Sequence, residues 1–208
     1  MRAEAYAKVT FTLEVFGKRA DGYHALRSVV MPISLSDTLD IEAADDGAIT
    51  SDTGYDDDLC VKAARILRSS VSSLPSSLGA TIHVAKRIPA GGGLGGGSAD
   101  AAVVLRALNE LWKVGLSREE LAEVGAQVGS DVPALVLGGP VIMEGRGEKV
   151  ASIEQSEQSN NLALLSAFAA FTQRSSSYPV SLVISPSSVT SMSSVSESEI
   201  GITTERRA

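Results

Sequence analysis

Six glycines fall within seven positions of "PAGGGLGGGSADAA", residues 89–102, immediately ahead of a segment with helical periodicity. Each glycine costs about 0.5–1 kcal/mol against alanine inside an ordered element, so such a run needs a local reason. Backbone that wraps closely around an anion supplies one. Unpaired N–H groups and the positive end of the helix dipole converge at a helix start, and glycine lets the main chain approach a phosphate. The chemistry on offer is phosphate binding. The alternative use, a flexible linker, sits poorly with a run that ends in a capped, amphipathic helix.

Two familiar phosphate loops fit badly. A P-loop ends in Gly-Lys-Ser/Thr, and no lysine stands between Gly97 and Ser98. Gly91, Gly93 and Gly96 satisfy G-x-G-x-x-G, but "AKRIPA" separates them from the preceding strand pattern, and no βαβ series begins there. A dinucleotide fold is therefore a minor alternative.

Two further residues carry chemistry if the fold brings them to this loop. Asp131, in "GSDVP", reads from spacing alone equally as a functional carboxylate and as a helix-end or turn carboxylate ahead of Val132-Pro133. Lys8, in "YAKVT", reads by itself as an edge-strand lysine that discourages aggregation. Tyr23 and His24 follow an Asp21-Gly22 turn, where a packed hairpin tip is the plain reading.

The elements that must position these residues are readable in outline. "YAKVTFTLEVFGK" alternates as a strand, and "RADGYHALRSVVMPISLSDTLDIEAA" continues through a turn into two further strand-like runs. "DDDLCVKAARILRSSV" places Leu59, Ala63, Ile66 and Leu67 on one helical face. "GATIHVAKRIP" is a strand with a proline stop. "SADAAVVLRALNELWKV" is the strongest helix, with Ser98 expected as its N-cap and Ala101, Val104, Leu105, Leu108, Leu111 and Trp112 as its apolar stripe. "SREELAEVGAQVG" opens with a capping box at Ser117 and Glu120. Beyond residue 155 the chain turns serine-rich; "YPVSLVISP" reads as a strand and the rest as loosely ordered. Strands and helices mix without β-α alternation, which favours an α+β architecture.

Composition removes other functions. A net charge of −7 and 4% aromatic residues give no footprint for nucleic acid. The single cysteine, Cys60, suits a reducing compartment. No stretch reads as a signal peptide, and "LALLSAFAAF" is too short to span a bilayer, so a soluble cytoplasmic chain without a membrane partner is expected.

"KRIPAGGGLGGGSADAA" resembles the second motif of the GHMP kinase superfamily. With "AKVTFTLEVFGKRADGYH", "DDDLCVKAARIL" and "GSDVPALVLGGPVIMEGRGEKV" in the same order over about 150 residues, the chain is similar within it to the 4-diphosphocytidyl-2-C-methyl-D-erythritol kinase family. The resemblance implies a GHMP kinase N-terminal domain (ribosomal protein S5 domain 2-like) over residues 1–152. It also implies an incomplete C-terminal domain, a serine-rich remnant or a truncated beginning, over 153–208. It implies ATP and Mg2+, with the phosphates wrapped by Gly91, Gly92, Gly93, Leu94, Gly95, Gly96, Gly97, Ser98, Ala99, Asp100 and Ala101, and with the Ser98 hydroxyl near the metal.

By the same resemblance Asp131 and Lys8 are catalytic, Thr10, Tyr23 and His24 bind the substrate, and Leu59, Lys62 and Lys86 border the adenine. The substrate implied is a small molecule, a cytidine diphosphate-linked methylerythritol, phosphorylated on its 2-hydroxyl. The chain departs from the family pattern at three points. Thr10 stands where an asparagine is usual, Asp58 replaces another, and nothing after residue 150 supplies the family's third glycine-rich motif. An inactive nucleotide- or sugar-binding relative is the alternative reading.

Overall fold

The computed structural model describes residues 1–153 apart from 19, 21, 23 and 146. Arg2–Lys18 (β1) and His24–Ala44 (β2) pair as a long antiparallel hairpin, and β2 is the spine of a six-stranded sheet. β1 follows one edge of β2. On the other edge Gly79–Ala85 (β4) pairs with residues 38–44, and Val141–Gly145 (β5) with residues 26–30. Ile49–Ser51 (β3) extends β4 in parallel, and Lys149–Ser152 (β6) extends β5 antiparallel.

The two strand-like runs expected after the turn are one continuous strand. Pro32 interrupts the sequence pattern without ending β2, because it lies between the stretches that β5 and β4 cover, where a missing N–H breaks no ladder on that edge. The cost appears on the β1 side, where the register shifts between Tyr6 and Lys8.

Four helices complete the described residues: Leu59–Ser70 (α1), Gly96–Leu111 (α2), Arg118–Val128 (α3) and Val132–Leu137 (α4). Leu39, Ile41 and Ile82 of the sheet share the main core with Leu67 of α1 and Val104, Leu105 and Leu108 of α2. Each such side chain contributes about 1.5–3 kcal/mol by leaving water. α2 is buried well beyond its expected stripe: Ala99 to Leu105, Ala107 and Leu108 are all inaccessible, so it is the central helix. Arg106 is the one half-exposed side chain in that run.

α1 begins at an Asp58 cap that accepts from the Cys60 N–H at 2.7 Å. The expected capping box opens α3, Ser117 and Glu120 exchanging bonds of 2.8 and 3.2 Å. No helix among the described residues is long and apolar enough to cross a membrane. The readings of "LALLSAFAAF", "YPVSLVISP" and the serine-rich segment fall outside the described residues.

Candidate active site

The glycine run fills the gap between β4 and α2, and its lead-in is bolted down from beneath. Asp37 of β2, wholly buried, accepts the Lys86 ammonium at 2.5 Å and the Ile88 N–H at 2.8 Å, and also bonds the Arg87 N–H. Lys86 Nζ reaches Asp100 of α2 at 2.6 Å. Burial works to raise the Asp37 carboxyl, but the Arg87 N–H and the Lys86 ammonium outweigh it and hold the group below its ordinary value. Burial wins at Asp100, which is pushed up to about 6 against the pull of Lys86. The Lys86 ammonium is raised, since its two carboxylate partners overcome its own desolvation.

The turn itself needs glycine at its last position. Gly95 has φ +70°, a left-handed conformation, and a Cβ there would lie 3.0 Å from Lys8 Cγ. Gly95, rather than Ser98, is the N-cap of α2, so the helix starts three residues earlier than expected. Ser98 is its third residue, and no side chain caps this end. The correction has a physical reason: a left-handed glycine turns the chain into the helix without a capping hydroxyl. The first N–H groups of α2 are thereby left to whatever enters the cleft.

The fold brings both catalytic candidates to that opening. The Lys8 N–H bonds the Leu94 carbonyl at 2.9 Å, which fastens β1 to the glycine loop. Lys8 Nζ lies 3.2 Å from Asp131 Oδ2 and 3.2 Å from the Thr10 hydroxyl. Asp131 is the N-cap of α4 but makes no side-chain capping bond, so its carboxylate is spent on Lys8 instead. Asp131 is thus a helix-end residue whose side chain serves the cleft. The cleft holds about 430 Å³ and is lined by the loop from Gly91 to Ser98 with Lys8, Lys86, Asp100 and Asp131.

Other expected residues part company. Leu59 lines the cleft, but Lys62 donates to the Val128 carbonyl at 2.8 Å, at the end of α3. Ala101 is fully buried in the core, and Ala99 lines a separate cavity. His24 is exposed and starts β2 opposite Lys18, ten residues along β1 from Lys8. That is on the order of 30 Å of strand, and neither cavity reaches it. Tyr23 lies outside the described residues. The sequence reading missed Asp37, although its position carried a signal. Leu35, Asp37, Leu39 and Ile41 alternate on one face of β2, and a carboxylate in an inward-facing series needs buried partners.

The glycine loop, the start of α2 and Asp131 all lie in a stretch that resembles a known family. Residues 58–139 match the family model of the GHMP kinases N terminal domain, and the described domain has that mixed α+β fold. Its solved relatives include a 4-(cytidine 5'-diphospho)-2C-methyl-D-erythritol kinase, 34% identical over 75% of this chain and 56% of its own, with a TM-score of 0.64. The mevalonate kinase of Methanococcus jannaschii is 19% identical over 74% of this chain and 56% of its own, with a TM-score of 0.56. The mevalonate pyrophosphate decarboxylase of Streptococcus pyogenes is 16% identical over 75% of this chain and 51% of its own, with a TM-score of 0.55. The last two share the fold alone. The chain spans little more than half the length of these proteins.

Proposed function

We propose that this protein is a phosphotransferase that binds ATP in the glycine-loop cleft and phosphorylates an alcohol. The acceptor we propose is the 2-hydroxyl of 4-diphosphocytidyl-2-C-methyl-D-erythritol, which would place the protein in isoprenoid precursor synthesis. One observation carries the reading: the Lys8–Asp131 pair, 3.2 Å apart, stands at the mouth of a helix start whose N–H groups no side chain caps.

The residues divide the work as follows. The N–H groups from Gly95 onward and the dipole of α2 hold the nucleotide phosphates. Asp131 takes the proton of the attacking hydroxyl as its oxygen bonds to the γ-phosphorus and the bond to the β,γ-bridging oxygen breaks, releasing ADP. Lys8 orients that carboxylate and offers its ammonium to the moving phosphoryl group.

Magnesium, bound with the nucleotide, supplies further charge neutralisation on the β- and γ-phosphates. Among the described residues no group of three or more His, Cys, Asp or Glu could hold a metal by itself. That fits an ion carried mainly by phosphate oxygens, with the Ser98 hydroxyl in the cleft as a protein partner.

A coupled ADP-release assay with ATP, magnesium and the cytidyl substrate tests this. Substrate-dependent ADP is the expected result. Nucleotide binding without ADP formation would instead assign the chain to the inactive binding proteins, and no nucleotide binding at all would end both readings.

A further inference from the structure

Lys8 lines a second cavity as well, one of about 110 Å³. Its walls are mostly apolar, from Val30 and Pro32 of β2, Val103 of α2, and Ala134 and Leu135 of α4, and Arg106 joins Lys8 as a second cation in that lining. Arg106 is half-buried, and no carboxylate among the described residues lies within salt-bridge distance of it. Burial and the neighbouring Arg118 charge both press its pKa below the ordinary value. A desolvated cation without a counter-ion is costly, and such groups cluster at functional sites.

The plain explanation is that Arg106 caps α4, since its Nη1 donates to the Leu135 carbonyl at 3.2 Å. That bond uses one of five N–H donors, and a neutral amide would serve it without the cost of the charge. Arg118 already meets the Leu137 carbonyl at 2.9 Å, nearer the end of the helix.

We infer that this cavity is an oxyanion subsite, with Arg106 as counter-ion to one phosphate group carried by the phosphoryl acceptor. The inference rests on the phosphotransfer reading above. Lys8 then stands between the two anions, with the nucleotide tail in the glycine cleft and the acceptor phosphate in the smaller cavity. The volume admits a single phosphate or carboxylate group and excludes a nucleoside.

The test uses the full chain with its cleft saturated by magnesium and AMP-PNP, and inorganic phosphate as the probe, followed by calorimetry. Phosphate is expected to bind the parent, and Arg106→Gln to weaken it by at least about tenfold, which is 1.4 kcal/mol. AMP-PNP affinity should not move, and the melting temperature should hold or rise, since a costly unpaired charge is removed. Arg106→Lys, which keeps the charge, should hold phosphate within about threefold. The cytidyl substrate should displace the phosphate; failure to compete would assign the cavity to free phosphate and overturn the acceptor role.

Phosphate binding that ignores Arg106→Gln, or none in the parent, overturns the subsite itself. Should Arg106→Gln fail to fold, phenylglyoxal labelling of the parent decides: phosphate must shield Arg106, and unshielded labelling overturns the inference. A parent that takes phosphate but not AMP-PNP would sink the nucleotide reading while leaving the cavity's oxyanion role intact.

Discussion

α2 and α3 are neighbouring helices with opposite beginnings. α3 closes its own N-terminus: Ser117 caps it, Glu120 returns the bond, and Glu119 adds a second negative charge in the first turn. α2 starts from a left-handed glycine with no side-chain cap and no acid in its first turn. Both helices face the same electrostatic problem of orphan N–H groups and a positive dipole end. α3 solves it within the chain, and α2 leaves it open toward the cleft. We read a helix start that the sequence declines to close as a binding site here because a cleft and the Lys8–Asp131 pair stand before it.

The largest expected effect comes from the pair at that open end. Asp131→Asn should cut turnover by about a hundred- to ten-thousandfold, the usual contribution of a positioned base, while nucleotide affinity stays near the parent's. Steady-state rates and an ATP-analogue titration measure the two separately. An asparagine variant that turned over like its parent would remove Asp131 from the chemistry.

Next in size is a substitution that makes α2 resemble α3. Gly97 is helical and a Cβ there meets only Leu59 Cδ1, at 3.5 Å, so Gly97→Asp fits. The new carboxylate would occupy the dipole's positive end, raising stability by about 0.3–1 kcal/mol. Nucleotide affinity should fall by about tenfold or more, because the phosphates then meet a like charge. Thermal melts and calorimetry should move in opposite directions; if both rise, the phosphates do not sit on this helix.

The same contrast explains what was legible in the sequence. The capping box of α3 is local: four adjacent residues contain the whole device. The glycine loop was legible as a loop ahead of a helix for the same reason, since a run of glycines before a helical pattern is itself local. Lys86 is different, because its partner Asp37 stands 49 positions away, and only the pairing of β2 with β4 brings the two together. Ser98 was misplaced because an N-cap rule written for side-chain caps overlooks a left-handed glycine. The continuity of β2 through Pro32 depended on which neighbours cover it, a property of the sheet and not of the strand. Arg106 was not singled out, because no local pattern separates a solvated arginine from one lining a cavity.

Carboxylates sharpen the comparison by titration. Asp100, one turn inside α2, has its pKa raised from 3.8 to about 6 by burial. The folded state therefore holds that proton longer than the unfolded chain, and this group makes stability fall as pH rises from about 4 to about 6. Glu120 at the start of α3 is lowered by its bonds with Ser117, so its contribution is present above the unfolded pKa and is lost as pH falls through the folded one. The two helix beginnings thus titrate with opposite sign. Asp100→Asn should erase the downward slope across that window in denaturant melts taken at several pH values. A slope unchanged by the substitution would place the raised group elsewhere.

The smallest effect is the control that gives the others meaning. Ser117→Ala removes the hydroxyl that accepts the Glu120 N–H at 3.2 Å and leaves that donor to water. The expected cost is about 1 kcal/mol of stability, as for other capping serines. Because α3 keeps its N-terminus to itself, ATP affinity and turnover per folded molecule should match the parent's. If loss of this cap weakened nucleotide binding as strongly as a charge at Gly97, the distinction between a helix start closed for structure and one left open for a ligand would fail. Urea midpoints paired with nucleotide titrations on the same samples make that comparison directly.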